Sequence, residues 1–129
     1  MNLPIIAAAI LLTLALCAHF FVGTRETAGL RPAENDSGKN RIQALCVFQL
    51  VSIDLLLLVV LCYLLALSDI LPDKRSIAYA IAAYLVLWGI AWLVQLKAAR
   101  ADGKTCLLLG QWILFFGCAG LMLWGAQSV

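Results

Sequence analysis

The chain has 129 residues, of which 64% are apolar and only 12% are charged, with a formal net charge of +2. Continuous apolar stretches make up most of this length, so the composition excludes a soluble globular domain and favours an integral membrane protein. Membrane lipids are therefore its first expected partners, and no nucleic-acid partner is expected.

Four apolar stretches are each long enough to cross a bilayer as a helix, which takes about 20 residues. We predict an all-α integral membrane protein, an antiparallel four-helix transmembrane bundle that forms a single domain over residues 1–129. Three loops use up the rest of the chain and leave no room for a soluble domain. The predicted helices are 3–22, 42–67, 77–96 and 106–126.

The first predicted helix begins with a typical start signal. Asn2 is a good N-cap, and Pro4 lies in the first turn, where its missing N–H costs nothing. No Lys or Arg precedes the apolar run, and no small-residue cleavage site ends it. We therefore expect this helix to be retained and not removed as a signal peptide.

Asp54 lies at the midpoint of the second predicted helix and is the one acidic residue within the four predicted spans. An acid at the bilayer centre costs about 2.5 to 3.5 kcal/mol on insertion scales, which the surrounding Leu, Ile, Val and Phe can outweigh. It could be a proton-coupling site, or a protonated acid that hydrogen-bonds to a neighbouring helix. Thr13, Tyr84 and Trp88 are the neighbours expected at its depth.

Counting depth at about 1.5 Å per residue places polar side chains from all four helices in one leaflet. They would lie near Arg25 and Glu26 at the mouth of a cavity that holds a polar head group. There His19 would be the proton donor or acceptor. Together with Asp54, these polar residues, Arg25 and Glu26 form the predicted ligand-binding site, which would suit a lipid-like or quinone-like molecule. The alternative is that the amides bridge helices, each bond contributing less than about 2 kcal/mol. The polar residues of this predicted cluster are His19, Gln43, Gln49, Gln95 and Gln111.

Small residues recur on the third and fourth predicted helices, where they would let helices approach closely inside the chain or in an oligomer. The second loop is short and contains Pro72, which predicts a tight antiparallel hairpin of helices two and three. The predicted packing residues are Ala82, Gly89, Gly110, Gly117 and Gly120.

The chain offers little metal or redox chemistry by sequence. Its five cysteines lie within or at the ends of the spans without a CxxC pair, so we expect neither a disulfide framework nor a metal site. His19 is the single histidine, which excludes bis-His haem ligation within one chain. No residue is predicted to be catalytic.

Basic residues are distributed unequally among the loops. The first and third loops hold seven Lys and Arg, whereas the second holds Lys74 and Arg75. Because positive loops stay cytoplasmic, we predict a multi-pass protein of the bacterial inner membrane with loops 1 and 3 in the cytoplasm and both termini in the periplasm.

Two resemblances add expectations. The segments AHFFVGTRE (18–26) and QWILFF (111–116) resemble small, uncharacterised four-helix bacterial membrane proteins. In topology the chain is similar to the MAPEG family of membrane glutathione-dependent enzymes, whose second helix carries a pattern like ERxxxANxxE. Arg41, Ala44 and Asp54 resemble parts of it at altered spacing, and its Asn is absent. That resemblance implies a trimer that binds glutathione between subunits through arginines.

Three functions follow as alternatives. We predict a non-enzymatic accessory or structural subunit of a larger membrane complex, which needs only apolar faces and packing glycines. A binder or transporter of a lipid-like or quinone-like molecule is the second alternative. Small multidrug-resistance transporters also have four helices and one membrane acid, but theirs is a Glu in the first helix and their loops show little charge bias. A MAPEG-like enzyme is the third alternative.

Overall fold

The structure is a computed structural model that describes residues 1–31 and 38–128, and these residues form helices and no strands. Three helical stretches are long and apolar enough to cross a membrane, namely Leu3–Ala28, Lys39–Leu67 and Lys74–Ala98. In chain order the elements are α1 (Leu3–Ala18), a π-helix (His19–Gly23), α2 (Thr24–Ala28), α3 (Lys39–Leu67), α4 (Lys74–Ala98), α5 (Gly103–Leu108) and α6 (Gln111–Ala126).

The first helical stretch is longer than predicted. The Asn2 side chain accepts a hydrogen bond from the Ile5 N–H at 3.2 Å and caps α1. The helix then continues through the π-helix and α2 to Ala28, whereas the prediction ended at residue 22. Hydropathy marks where apolar residues stop, but Gly23 lies inside the π-helix and the helical stretch ends only before Gly29. Residues 32–37 of the first loop lie outside the described residues.

The fourth predicted span, 106–126, is divided between two helices. Leu109 and Gly110 leave helical geometry, with ψ of 47° and 16°, and separate α5 from α6. Two indoles donate to carbonyls beside this break: Trp92 Nε1 to Leu109 O at 2.9 Å and Trp112 Nε1 to Cys106 O at 3.3 Å. A broken helix in lipid needs such donors and acceptors to be paired inside the protein.

The helices contact one another unequally. Contacts are most extensive between α4 and α6, between α1 and α3, and between α1 and α6. The start of α1 lies against the ends of α3 and α6, since Asn2 donates its backbone N–H to Ala66 O at 3.4 Å and its amide to Gly125 O at 2.8 Å. In contrast, α3 and α4 contact only sparsely, although a short loop joins them. The short loop of the predicted hairpin is therefore present, but the two helices that it joins do not pack closely against each other.

The hydrophobic core occupies one end of the molecule, formed by the starts of α1 and α4 and the ends of α3 and α6. Many of its members are alanines, which let helices approach closely. We call this end the core half, and we call the opposite end, which carries loops 1 and 3, the open half. Outside the core cluster, Ser52 and Leu96 are also buried. The buried core side chains are Ile5, Ala8, Ala9, Leu12, Leu55, Leu58, Val59, Cys62, Leu65, Ala66, Ala78, Ile81, Ala82, Leu85, Phe115, Cys118, Ala119, Met122 and Ala126.

Candidate functional site

Asp54 lies in the middle of α3 and meets Tyr84 of α4. These two helices contact only sparsely, and we call the space between them the cleft. The Tyr84 hydroxyl donates to Asp54 Oδ2 at 3.5 Å, which is long for an O–H···O bond. The ring of Trp88 leans on Tyr84 and meets Phe115 edge-on, with 5.3 Å between centroids in both contacts. The core therefore orients Tyr84 toward Asp54 through Trp88.

The carboxyl group of Asp54 has unused capacity for hydrogen bonds. A carboxylate can accept about four, and the described residues supply the single long bond from Tyr84. Asp54 is half-buried and Tyr84 is 38% exposed. Thr13, another neighbour predicted for Asp54, instead donates to Ala9 O at 2.7 Å and lies 3.5 Å from the Tyr63 hydroxyl. The Asp54–Tyr84 pair can thus accept a further donor from the cleft.

His19 is fixed against α3 by stacking and a hydrogen bond. Its ring lies parallel to Phe48, with centroids 3.8 Å apart and planes 9° apart, and its Nε2 is 3.1 Å from Phe48 O. A carbonyl oxygen only accepts, so Nε2 is the donor in this contact. A Cβ on Gly23 would lie 2.5 Å from the tip of Phe48, so this ring fills space that a glycine leaves open.

Beside this stack, a short chain of hydrogen bonds joins the first helical stretch to α3. The Gln49 amide donates to the Thr24 hydroxyl at 3.1 Å, and the Ser52 hydroxyl donates to Gln49 Oε1 at 3.3 Å. Thr24 and Ser52 were absent from the predicted cluster; the available signal was that Ser52 lies one helical turn from Gln49. These bonds match the alternative in which amides bridge helices.

The remaining residues of the predicted cluster lie at the surface of the described chain. Arg25 and Glu26 are exposed on α2, and Gln43, Gln95 and Gln111 are exposed on α3, α4 and α6. The extensive contacts of the π-helix and α2 are with α1 and α3. The structure therefore joins His19 and Gln49 to the α1–α3 junction and leaves the other amides on separate helices.

The two best-defined depressions in the surface do not include Asp54 or His19. A groove of about 290 Å³ beside Ser52 is otherwise apolar, lined by Leu16, Cys17, Phe20, Phe21, Ile53 and Leu56. A wider depression of about 1030 Å³ lies at the core-half end, near Met1 and Ser128. The charged groups that line it, Asp69 and Lys74, form an ion pair at 2.6 Å. The groove is therefore the depression that adjoins the His19 side of the molecule.

The predicted packing residues occupy different surroundings. Ala82 and Gly89 are buried on α4, and a Cβ on Gly89 would lie 2.8 Å from the Phe116 ring of α6. Gly117 and Gly120 are exposed with nothing within 4 Å of an added Cβ, and Gly110 lies at the helix break. The fourth-helix glycines thus leave an open face on α6 of the described chain.

Comparison with known proteins adds no function to this geometry. No family model, no curated protein and no solved structure matches the chain. The function must therefore be inferred from the chain's own contacts, among which the Asp54–Tyr84 pair and the His19–Phe48 stack are the most specific.

Three carboxylates in the loops are held in their charged form. The hydrogen bond and the positive charge of Lys74 lower the pKa of Asp69. Hydrogen bonds from Ser76 and Thr105 likewise lower the pKa of Asp73 and Asp102, which cap α4 and α5. These groups stabilise the turns between helices, since a capping carboxylate satisfies N–H groups that the helix leaves free.

Proposed function

We propose that the chain is an antiparallel four-helix transmembrane unit that works as an accessory or structural subunit of a larger bacterial inner-membrane complex. Its partner would be a transmembrane helix that lies in the cleft between α3 and α4 and presents a hydrogen-bond donor to Asp54. Loops 1 and 3 would face the cytoplasm and both termini the periplasm, because the basic residues favour that orientation.

The observation that carries this proposal is the partial exposure of the Asp54–Tyr84 pair where α3 and α4 part. In lipid, a half-exposed acid with one long hydrogen bond is costly. A donor such as Ser, Thr, Asn, Gln or Lys on a neighbouring helix would remove much of that cost. Leu57 and Leu87 are exposed one helical turn beyond Asp54 and Tyr84, a spacing that lies near the face of each helix that carries the pair.

A photo-crosslinking amino acid at each wall of the cleft tests the proposal. We would place it at position 57 or position 87 in cells that express the chain at native level, with position 14 as the control. Leu14 is exposed to a similar degree on α1, at 62% against 56% for Leu57 and 62% for Leu87. Mass spectrometry of the adducts would identify the crosslinked peptide.

We expect both cleft positions, but not position 14, to crosslink to the same transmembrane segment of another protein. Adducts between two copies of this chain would show that the partner is a second copy and that the complex is a homo-oligomer. Adducts to lipid alone from both walls would overturn the subunit proposal.

The groove beside Ser52 supports a second candidate, the binding of a lipid-like or quinone-like molecule. It offers about 290 Å³ of almost wholly apolar space with one hydroxyl, which suits an acyl or isoprenoid chain. Extraction in a mild detergent followed by lipid mass spectrometry tests this candidate. One lipophile retained per chain, and lost on Ser52→Phe, would favour it over the subunit role.

The glutathione-dependent alternative has less support. Arg41 and Asp54, two of the residues that resemble the MAPEG pattern, are thirteen positions apart in the sequence. On one helix that spacing separates them by about 20 Å, too far for a single small ligand site within one chain. A MAPEG-like activity would therefore need residues from other subunits to complete the site.

A further inference from the structure

The turn between α4 and α5 concentrates unpaired positive charge beside exposed leucines. Lys97, Arg100 and Lys104 are all exposed, and within the described residues none of them forms an ion pair. Asp102, the acid between them, accepts the Thr105 N–H at 2.8 Å as the cap of α5. Within the described residues Asp102 forms no ion pair with the three cations, so the turn carries three positive side chains and one negative side chain.

The fold holds these cations in a defined turn. After α4, the Ala101 N–H donates to Leu96 O and the Arg100 N–H to Lys97 O, both at 3.0 Å, which is the Schellman ending of a helix. Arg100 takes the left-handed conformation of this motif, with φ of 53°. Lys97 and Arg100 thus flank one tight turn, and Lys104 follows in the first turn of α5.

The leucines beside this turn are strongly exposed and lie just before the break between α5 and α6. Leu107 and Leu108 are 69% and 74% exposed and lie three and four residues after Lys104, on the same side of α5. The Trp92 and Trp112 indoles donate to carbonyls beside the break that follows α5. The cations and the leucines consequently present a charged rim next to an apolar surface.

We propose that this turn binds an anionic phospholipid. The headgroup phosphate lies among Lys97, Arg100 and Lys104, since guanidinium and ammonium groups both bind phosphate and Arg does so with paired hydrogen bonds. The acyl chains lie along Leu107 and Leu108. This inference goes beyond the subunit proposal and requires only that the turn lie at the membrane surface.

The basic residues of loop 2 form a natural control pair. Lys74 is already paired with Asp69 at 2.6 Å, and the Arg75 guanidinium lies 6.0 Å from the centre of the Tyr79 ring. Loop 2 thus carries two cations and two acids, against three cations and one acid at the α4–α5 turn, and both of its cations have partners within the chain. Loss of the lipid preference in a variant of the α4–α5 turn, but not in a variant of this pair, would assign the preference to the three cations that form no ion pair within the described residues.

Native mass spectrometry of the full chain in a mild detergent tests the proposal, with phosphatidylglycerol and phosphatidylcholine as the probes. We expect the wild-type chain to prefer phosphatidylglycerol. The triple variant K97Q/R100Q/K104Q should lose most of that preference, with about a fivefold weaker affinity for each cation removed. The control K74Q/R75Q should keep it, and thermal unfolding in the same detergent would verify that all three proteins are folded.

Two further measurements separate a lipid from a soluble phosphate compound. Leu107→Ser with Leu108→Ser should weaken phosphatidylglycerol binding while the cations remain, and glycerol 3-phosphate should fail to displace the lipid. If glycerol 3-phosphate displaces it fully and the leucine variant binds normally, the turn is a phosphate site and the proposal is wrong. Equal phosphatidylglycerol preference in the folded triple variant and the wild type would also overturn it.

Discussion

At the scale of single residues, the chain places its few polar side chains where helices meet. Asp54 faces Tyr84, and His19 stacks on Phe48. Each contact joins two helical segments, and each uses a group that is costly to leave unpaired in lipid. The polar residues therefore contribute to helix position whether or not they also bind a ligand.

Substitutions of Asp54 separate a structural from a proton-coupling role. Asn keeps an oxygen that accepts from Tyr84, so Asp54→Asn should leave both stability and crosslinking from position 57 unchanged. Leu removes the acceptor and also the insertion cost of about 3 kcal/mol, so Asp54→Leu should keep the chain folded but abolish crosslinking to the partner. Thermal unfolding in detergent and adduct yield would be measured for each variant.

The Asp54→Asn variant also tests for a transport function. Asn cannot release a proton, so a proton-coupled protein would retain assembly in Asp54→Asn while its transport or electron-transfer activity collapsed. Intact assembly with lost activity would contradict the subunit proposal and place the chain among transporters.

Gly125 is a packing residue that was not predicted from the sequence and that the structure reveals through its neighbours. A Cβ there would collide with Ile5 and would lie 2.8 Å from the Asn2 side-chain oxygen, at the start of α1. We expect Gly125→Ala to lower the free energy of unfolding by about 1 to 3 kcal/mol through overpacking. Denaturant unfolding in detergent, followed by circular dichroism, would measure the loss.

Gly117 provides the matched control on the same helix. Nothing lies within 4 Å of an added Cβ there, so Gly117→Ala should not lower the stability of the isolated chain, and the higher helix propensity of Ala should raise it by up to about 1 kcal/mol. A loss of stability at Gly117 equal to that at Gly125 would mean that α6 packs through the opposite face. Gly117→Leu extends the test, because lost oligomeric mass without lost folding would assign this face to a partner.

At the scale of helices, the break between α5 and α6 depends on a contact from another helix. The Trp92 indole donates to Leu109 O at 2.9 Å and so satisfies a carbonyl that the break leaves without a helical donor. Trp92→Phe should destabilise the chain by about 1 kcal/mol, the usual contribution of one such bond. Trp124→Phe, at a 63% exposed position, should have little effect. Equal melting temperatures for the two variants would show that the break does not need the indole.

Helix positions were predictable from sequence to the extent that hydropathy decides them. The second predicted helix, 42–67, and α3 end at the same residue, because Ser68 and Asp69 begin a polar loop. The break at Leu109 was not predicted, because Gly110 was interpreted as a packing residue within one span and the donor for the Leu109 carbonyl comes from α4. Hydropathy reports burial in lipid and carries no signal for backbone geometry.

The candidate site was predictable in depth but not in direction. Counting residues correctly placed Tyr84 among the neighbours of Asp54, yet it also placed Thr13 there, which instead lies beside Tyr63. The polar cluster needed His19, Gln49, Gln95 and Gln111 to face one cavity. Each residue turns about 100° around a helix, so the face that a side chain takes depends on packing between helices, which a single sequence does not specify.

At the scale of the whole molecule, the two ends differ in how closely their helices pack. The core half packs alanines and branched side chains tightly, whereas the open half leaves apolar faces of α3, α4 and α6 uncovered. These uncovered faces are available to lipid or to a partner helix. The cleft at Asp54 and the basic turn after α4 are the two places where that availability is chemically specific.

The orientation of these ends across the membrane is the last prediction. Seven Lys and Arg lie in or beside loops 1 and 3, and two lie beside loop 2, where Lys74 is also neutralised by Asp69. Because basic loops remain in the cytoplasm, the open half should face the cytoplasm and the core half, with both termini, the periplasm.

Single cysteines at positions 37 and 128, in a chain whose five native cysteines are replaced by Ser or Ala, would report the two sides. Residue 37 lies outside the described residues, but it belongs to loop 1 by sequence. We expect an impermeant maleimide added to intact spheroplasts to label Ser128→Cys at once and Ser37→Cys only after lysis. Labelling of Ser37→Cys before lysis would reverse the orientation, and the basic turn would then face the periplasmic leaflet.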